Sequence, residues 1–415
     1  MDGGMTKFNC RFCGSKLEHV FADLGSTPIA NDYIKPEHIH SMEPFYPLVV
    51  YVCEACLLVQ LPEHQTPDKI FAEEYTYFSS YSDSWLKHAS DYVDMMMQRF
   101  EFNDKSQVIE IASNDGYLLQ YFKQKGVPIL GVEPAANVAE VAEKNGIPSV
   151  VKFFGVNTAK ELVNDDVKAD LVLGNNVLAH VPDVNDFVKG MKIILKQQGV
   201  ITMEFPHLLR LMELNQFDTI YHEHFSYFSF TTVENIFAHH GLTLFDVEEL
   251  STHGGSLRIF ARHSEDDSKP ISDHVNELRN REAGLGFVSL EHYLSYQNQI
   301  DETKRNLLKF LIQAREQGKT VVGYGAPAKG NTLLNYCGVG TDLVEYTVDR
   351  SPAKKGSYLP GTRIPIYAPE KIVETRPDYV LILPWNLKSE ISSQMSEIRS
   401  WGGKFVVPIP SVEIF

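Results

Sequence analysis

Val108-Ile-Glu-Ile-Ala112, Ser113-Asn-Asp-Gly116 and Tyr117 to Phe122 read in turn as a short buried strand, a glycine turn and the start of a helix. A second apolar strand, Pro128 to Val132, follows and ends at Glu133. In a doubly wound sheet the first turn approaches a cofactor with bare backbone, and the acid ending the next strand holds ribose hydroxyls. Glu110, Ala112, Asn114, Gly116 and Glu133 are therefore candidate cofactor contacts.

Two details favour S-adenosylmethionine over a dinucleotide. Glu110 sits before the turn, and there is no Gly-x-Gly-x-x-Gly. A pyrophosphate needs that tight backbone approach, whereas S-adenosylmethionine has no phosphate. Ala112 stands where such turns often carry glycine; Asn114-Asp-Gly116 keeps the turn feasible. A Rossmann-like fold that binds no nucleotide is the rival reading. The order continues with strand Ala169 to Gly174, loop Asn175-Asn-Val-Leu-Ala-His180 and Val181-Pro-Asp183. An amphipathic helix stopped by Gly199 follows, then strand Val200 to Phe205. Asn175 and Asn176 join the cofactor candidates. His180 is a candidate catalytic group, although a lone histidine after a strand is as often structural. This order resembles class I methyltransferases.

The 415 residues carry 54 Asp and Glu against 38 Lys and Arg, a formal charge of −16, with 43% hydrophobic residues. Those proportions suit a globular protein of two or three domains. The acidic balance excludes a nucleic-acid surface, because phosphate affinity comes from clustered Lys and Arg. The longest apolar stretch, Leu48 to Gln60, is broken by Glu54 and too short to span a bilayer. No segment has the order of a signal peptide, which leads us to expect the reducing cytoplasm.

Four of the five cysteines fall in two pairs, Cys10-Arg-Phe-Cys13 and Cys53-Glu-Ala-Cys56. Each pair can present two thiolates to one side, and two pairs close a tetrahedron around Zn²⁺. Four thiolates leave no open position, so the expected zinc is structural. A thioredoxin-like redox pair and unrelated buried thiols are the alternatives. The segment Glu74-Tyr-Thr-Tyr-Phe-Ser-Ser80 reads either as a plain helix-entry loop or as a cover over a neighbouring pocket. In the second case Tyr75, Phe78 and Ser79 touch the cofactor.

Phe217-Asp-Thr-Ile-Tyr221-His-Glu-His224-Phe225 is dense in groups able to move protons. A histidine of this run can act as a base near neutral pH, Glu223 can orient or tune it, and Tyr221 can donate to a developing oxyanion. His222 and His224 would share one face of a strand, so a metal site with Glu223 is one alternative, and polar surface is another. Farther on, His253 and Gly254 open Thr252-His-Gly-Gly-Ser-Leu-Arg258, which suits either close approach to substrate or a bulge.

A long helix is expected from Leu290 to Gln317, with Tyr293, Ile300, Leu307 and Leu311 on its buried face. A second Rossmann-like unit then begins with Thr320-Val-Val-Gly-Tyr-Gly325 and the turn carrying Lys329 and Asn331. Lys329 at a helix N-terminus, with Arg350, Lys354 and Lys355 nearby in sequence, suits an anionic ligand; solvated lysines on a structural turn are the alternative. The turn is not a Walker A loop.

Together these blocks resemble the nucleotide-sugar C-methyltransferases, with the nearest likeness to enzymes that methylate C3 of a TDP-linked 4-keto-deoxysugar for tetronitrose-type branched sugars. The likeness rests on the paired Cys-x-x-Cys, Glu110-Ile-Ala-Ser-Asn-Asp-Gly116, Tyr221-His-Glu-His224, His253-Gly-Gly255 and Gly323-Tyr-Gly-Ala-Pro-Ala-Lys329. It implies an α/β architecture of three domains: a zinc-binding domain (1–80), an S-adenosylmethionine domain (81–285) and a Rossmann-like domain (286–415). The nucleotide-sugar would lie between the last two, held by Tyr221, His253 and Gly254 of the central domain and by Lys329, Asn331 and Arg350 of the C-terminal one. By the same resemblance His224 is the base and Tyr221 binds substrate or the oxyanion; His222 replaces an acid of some relatives, and its role stays open. The expected reaction is C-methylation through an enolate, without a catalytic metal. An O- or N-methyltransferase, or a non-catalytic nucleotide-sugar-binding protein, are the alternatives. A monomer is compatible with everything in the sequence.

Overall fold

The computed structural model describes residues 8–66 and 78–415. Strands β1 (His19–Thr27), β2 (Tyr46–Val52) and β3 (Val59–Gln60) open the chain. Alternation along β2 buries Leu48, Val50 and Val52, as a strand with one face on a core requires.

The central segment supplies β4 (Val108–Ile111), β5 (Ile129–Val132), β6 (Ser149–Val150), β7 (Ala169–Asn175), β8 (Leu195–Pro206), β9 (Ser226–Tyr227), β10 (Leu242–Leu250) and β11 (Ser256–His263). The short β9 pairs with β3 and completes the N-terminal four-stranded sheet, so the two regions are stitched together. The other strands form a seven-stranded sheet in the order β6-β5-β4-β7-β8-β11-β10, parallel except that β11 runs antiparallel to both neighbours. All four residues of β4 are buried, the signature of an inner parallel strand covered on both faces. Strand order reverses at β4, and ligands of such sheets bind beyond the carboxyl ends at that switch point.

The C-terminal segment supplies β12 (Val321–Tyr324), β13 (Thr347–Val348), β14 (Ile366–Tyr367), β15 (Tyr379–Ile382), β16 (Lys404–Val407) and β17 (Glu413–Ile414). Their order is β14-β13-β12-β15-β16-β17, so a second switch point lies at β12. One apolar cluster joins Phe21, Leu48 and Val50 to Leu208, Leu211, Tyr293, Ile300 and Leu333. The four-stranded and the C-terminal sheets therefore share a core, while the seven-stranded sheet packs in clusters of its own. No helix among the described residues is long and apolar enough to cross a membrane.

Four local expectations change. The helix expected to stop at Gly199 is Val184–Ile194, and β8 already starts at Leu195. Gly199 lies inside the strand, where a Cβ would stand 2.9 Å from the Ala169 carbonyl oxygen and 2.7 Å from Leu195 Cδ1. The helix expected over 290–317 breaks into Leu290–Leu294 and Gln297–Glu316. At the break the Ser295 hydroxyl donates to the His292 carbonyl (2.8 Å), a local bond that competes with the helix ladder. Tyr293, Ile300, Leu307 and Leu311 are buried as expected. The polar run Glu265-Asp-Asp-Ser-Lys-Pro270 reads in the sequence as an exposed loop, but Asp266 is buried and held by Lys269 Nζ at 2.8 Å. Finally, Tyr221–His224 forms a turn and not a strand, so His222 and His224 do not share a strand face.

Candidate active site

The N-terminal cysteines converge. The Sγ atoms of Cys10, Cys13, Cys53 and Cys56 all lie within 4.8 Å of one another, with Cys10–Cys56 at 3.6 Å and Cys13–Cys53 at 3.5 Å. These spacings are too long for disulfides. They are close to the ~3.8 Å edge of a tetrahedron built on Zn–S bonds of about 2.3 Å. Gln60 Nε2 donates to Cys10 Sγ (3.1 Å), an outer-shell contact of the kind that steadies a thiolate. The donor set fits Zn²⁺ with no site left for chemistry.

At the first switch point the turn after β4 is left-handed at Ala112 (φ 55°), Asn114 (φ 51°) and Gly116 (φ 79°). A Cβ on Gly116 would stand 2.8 Å from Ile147 Cγ1, so the position admits only glycine without movement. Glu133 accepts the N–H groups of Asn114 and Ala135, both at 2.9 Å, and so braces the turn as well as ending β5. Asn114 Oδ1 accepts the Ser79 N–H (2.9 Å), and Asp115 Oδ2 accepts the Ser80 N–H (3.2 Å). The segment Phe78–Ser80 thus lies on the turn, in favour of the cover reading; Tyr75 lies outside the described residues. Glu110 is fully buried, and neither carboxyl oxygen has a hydrogen-bond partner among the described residues. Burial, then the charges of Asp115 and Glu133, hold its carboxyl well above the usual range.

Three buried acids around one turn call for a ligand with positive charge and hydroxyl donors. S-adenosylmethionine carries an ammonium, a sulfonium and a ribose; a pyrophosphate here would meet carboxylates. Asn175 Nδ2 donates to the Tyr117 hydroxyl (3.3 Å), and Asn176, at φ 54°, keeps a buried Oδ1 that has no partner among the described residues. The sequence reading missed the aromatic wall beside them. Trp85 stacks on His88 (4.9 Å) and Tyr117 (6.0 Å) and meets His253 edge-on (5.2 Å). Its only sequence signal was a tryptophan in the first turn of helix Asp83–Phe100, which Ser82 caps.

The turn Tyr221–His224 lies beyond β7 and β8, anchored where the Phe225 N–H donates to the Ala179 carbonyl (2.7 Å). The His224 Nδ1–H donates to the Thr219 carbonyl (2.9 Å), which leaves Nε2 as the basic nitrogen. The His180 Nδ1–H donates to the Glu223 carbonyl (2.8 Å), which fixes the same tautomer. The His224 ring centroid is 4.7 Å from His180 and 4.0 Å from Tyr221, so three of the candidate catalytic groups are adjacent. Burial keeps both imidazoles neutral: His180 is lowered to about 4, and His224 well below its ordinary value, with help from His180, His253 and Lys329. Glu223 is buried and turned to Asn31, whose Nδ2–H it accepts at 2.7 Å; burial raises its carboxyl. His222 faces the other way, with Nε2 3.2 Å from the Pro47 carbonyl and its ring near Tyr46 and His64. Among the described residues the four cysteines are the one metal-capable group, so no metal cluster forms at His222, Glu223 and His224.

The second switch point lies against the same region. Helix Ala328–Cys337 packs against Phe217–Thr219, and the Thr332 hydroxyl donates to the Ile220 carbonyl (2.9 Å). Lys329 Nζ donates to Asn386 Oδ1 (2.9 Å) and stands 4.4 Å from the Trp385 ring centroid. The Trp385 indole N–H donates to buried Asp218 (2.7 Å). Asn331 is buried and donates to the Ala30 carbonyl (2.6 Å), a tie between segments. Arg350 is exposed and 3.9 Å from Glu390, while Lys354 is committed to the Ala326 carbonyl (2.9 Å). Of the basic residues expected near an anion, Lys329 is the one that reaches the groups around His224. His253 (φ 54°) and Gly254 (φ 93°) face the same place; a Cβ on Gly254 would stand 2.7 Å from Trp385 Cη2.

Comparisons with known proteins agree with this layout. Residues 10–71 match a family described as "Putative zinc binding domain", residues 85–247 a "Methyltransferase domain", and residues 251–410 a "C-methyltransferase C-terminal domain". C-methyltransferase NovU of Streptomyces niveus is 35% identical over 405 residues, covering 98% of this chain and 96% of that protein. The ubiquinone biosynthesis O-methyltransferase of Bartonella tribocorum is 28% identical over 99 residues, covering 24% of this chain and 40% of that protein. Among solved structures, the PH0226 protein of Pyrococcus horikoshii aligns with 45% of this chain and 95% of its own, at 16% identity and a TM-score of 0.38.

Proposed function

This chain belongs to the S-adenosylmethionine-dependent C-methyltransferases, and from that premise we propose that it methylates C3 of a 4-keto-deoxysugar linked to a nucleoside diphosphate, TDP in the first instance. The observation that carries the proposal is the neutral His224, its Nε2 made basic by the Nδ1–H bond to Thr219, with Tyr221 against it and Lys329 across the cleft.

A ketone at C4 acidifies the hydrogens on its neighbouring carbons. In this reading His224 Nε2 removes the C3 proton, and Tyr221 donates a hydrogen bond to the enolate oxygen at C4. His180 packs edge-on against the His224 ring and keeps it in place. Glu110, Asn114, Gly116, Glu133, Asn175 and Asn176, with Phe78 and Ser79 above the turn, hold the cofactor. Bound there, S-adenosylmethionine would supply the electrophilic methyl: the carbanionic carbon would bond to it as the bond to the sulfonium sulfur breaks, with S-adenosylhomocysteine as the leaving group. The proton taken by His224 then leaves to solvent. Placement of the base and alignment account for most of the catalysis. Residues 1–80, 81–285 and 286–415 divide the work into zinc binding, cofactor binding and nucleotide-sugar binding.

Incubation with S-adenosylmethionine and a panel of nucleotide-linked 4-keto sugars tests the reading by mass spectrometry. A methyl-mass gain, with deuterium exchange of a substrate C–H in heavy water, is expected. Methyl gain without that exchange would point to transfer onto oxygen or nitrogen. Tight binding of both ligands without turnover on any keto-sugar would mark a non-catalytic binder.

A further inference from the structure

We propose that Trp385 is a positioning residue for the substrate's diphosphate: clamped between Asp218 and Gly254, its indole face holds the Lys329 ammonium in the cleft, where it meets the anion. This rests on the nucleotide-linked substrate proposed above and names the device that would recognise it.

Lys329 and Trp385 follow β12 and β15, adjacent parallel strands at the second switch point, so both project from the carboxyl edge where ligands bind. The tryptophan is fixed on two sides by the central segment. Its N–H donates to Asp218 Oδ2 at 2.7 Å, and its Cη2 edge lies where a Cβ on residue 254 would stand 2.7 Å away. Glycine at 254 thus leaves room for the ring. Asp218 acts on the Lys329 charge from beyond salt-bridge distance, and among the described residues the ring face and the Asn386 amide oxygen touch the ammonium, at 4.4 Å to the centroid and 2.9 Å. Both are neutral. A carboxylate in their place would cancel the lysine's charge, whereas a π face orients an ammonium and leaves that charge for an anion. A phenylalanine would keep the ring but lose the donor, leaving Asp218 buried without its partner.

Calorimetry with thymidine 5′-diphosphate on the full chain tests the proposal, with S-adenosylmethionine affinity as the control. Trp385→Phe should weaken diphosphate binding by about 3- to 30-fold, the span of a cation–π contact, and leave S-adenosylmethionine affinity unchanged. In turnover the sugar KM should rise by a similar factor with kcat little changed. Lys329→Met should also weaken binding, and the double variant should be no weaker than Lys329→Met alone, because the ring acts through the ammonium. Additive losses, or wild-type affinity in Trp385→Phe, would overturn the role of Trp385. Should Trp385→Phe fail to fold, Asn386→Ala at an exposed position removes the other anchor and should show the same non-additivity with Lys329→Met. A parent chain that binds no nucleoside diphosphate would instead overturn the substrate reading beneath it.

Discussion

His224 donates its Nδ1–H to the carbonyl oxygen of Thr219, 2.9 Å away. A backbone carbonyl can only accept, so this bond selects the tautomer with a lone pair on Nε2. Burial then keeps the ring neutral over the physiological range.

We expect His224→Asn to bind S-adenosylmethionine as the parent does and to lose at least about 100-fold in kcat, the usual scale of a general base. In the parent, kcat/KM should hold its plateau below pH 6.5, because the folded imidazole stays neutral there. Single-turnover rates across pH and calorimetry of the cofactor check both points. Near-normal turnover in the variant would remove His224 as the base.

Glu133 accepts two backbone N–H groups that shape the turn after β4. Glu133→Ala should therefore weaken S-adenosylmethionine binding by about 10- to 100-fold, as expected for losing charge-assisted bonds worth about 1.5–3 kcal/mol. Glu133→Gln should do less harm, because its amide oxygen can still accept one N–H. Titration calorimetry ranks the three proteins, and equal affinity throughout would count against the assignment.

The four thiolates form a closed set. Purified protein should hold about one zinc per chain by plasma mass spectrometry, the stoichiometry of one tetrahedral site. Cys53→Ser should lose the metal and unfold the N-terminal region first, seen as proteolysis ahead of the cofactor domain. Retained zinc in that variant would break the proposed ligand set.

Asp218 is buried, and desolvation raises its carboxyl from 3.8 to about 6, against the pull of Lys329 and the Trp385 N–H. The native state therefore holds this proton more tightly than the unfolded chain. That contribution favours folding below about pH 4 and is lost as pH rises to about 6. Asp218→Asn keeps an oxygen for the indole N–H and removes the buried charge. It should match the parent near pH 4 and exceed it by on the order of 1–3 kcal/mol at pH 8. Urea unfolding at the two pH values measures this, and a variant less stable at pH 8 would contradict it.

Much of the candidate cofactor site was legible in the sequence, because its signals are local. The run of apolar residues in β4, the Asn114-Asp-Gly116 turn and the acid after β5 are each written within a few residues. The cysteine pairs were legible for the same reason, since ligand spacing is itself a short-range pattern. The boundaries of the long helix and of β8 were not, because a side-chain bond at Ser295 and a close strand approach at Gly199 decided them.

Sequence alone thus determined the α/β class, the two switch-point turns and the residue types available for proton transfer. It could not say that Asp218, Gly254, Lys329 and Trp385 meet around one indole ring, nor that Asn31 reaches Glu223. Those partners are separated by tens to hundreds of residues, and no periodicity links them. Only the packing of the central and C-terminal elements against one another brings them within bonding distance. The tautomer of His224 was likewise settled by where the Thr219 carbonyl points once the chain has folded.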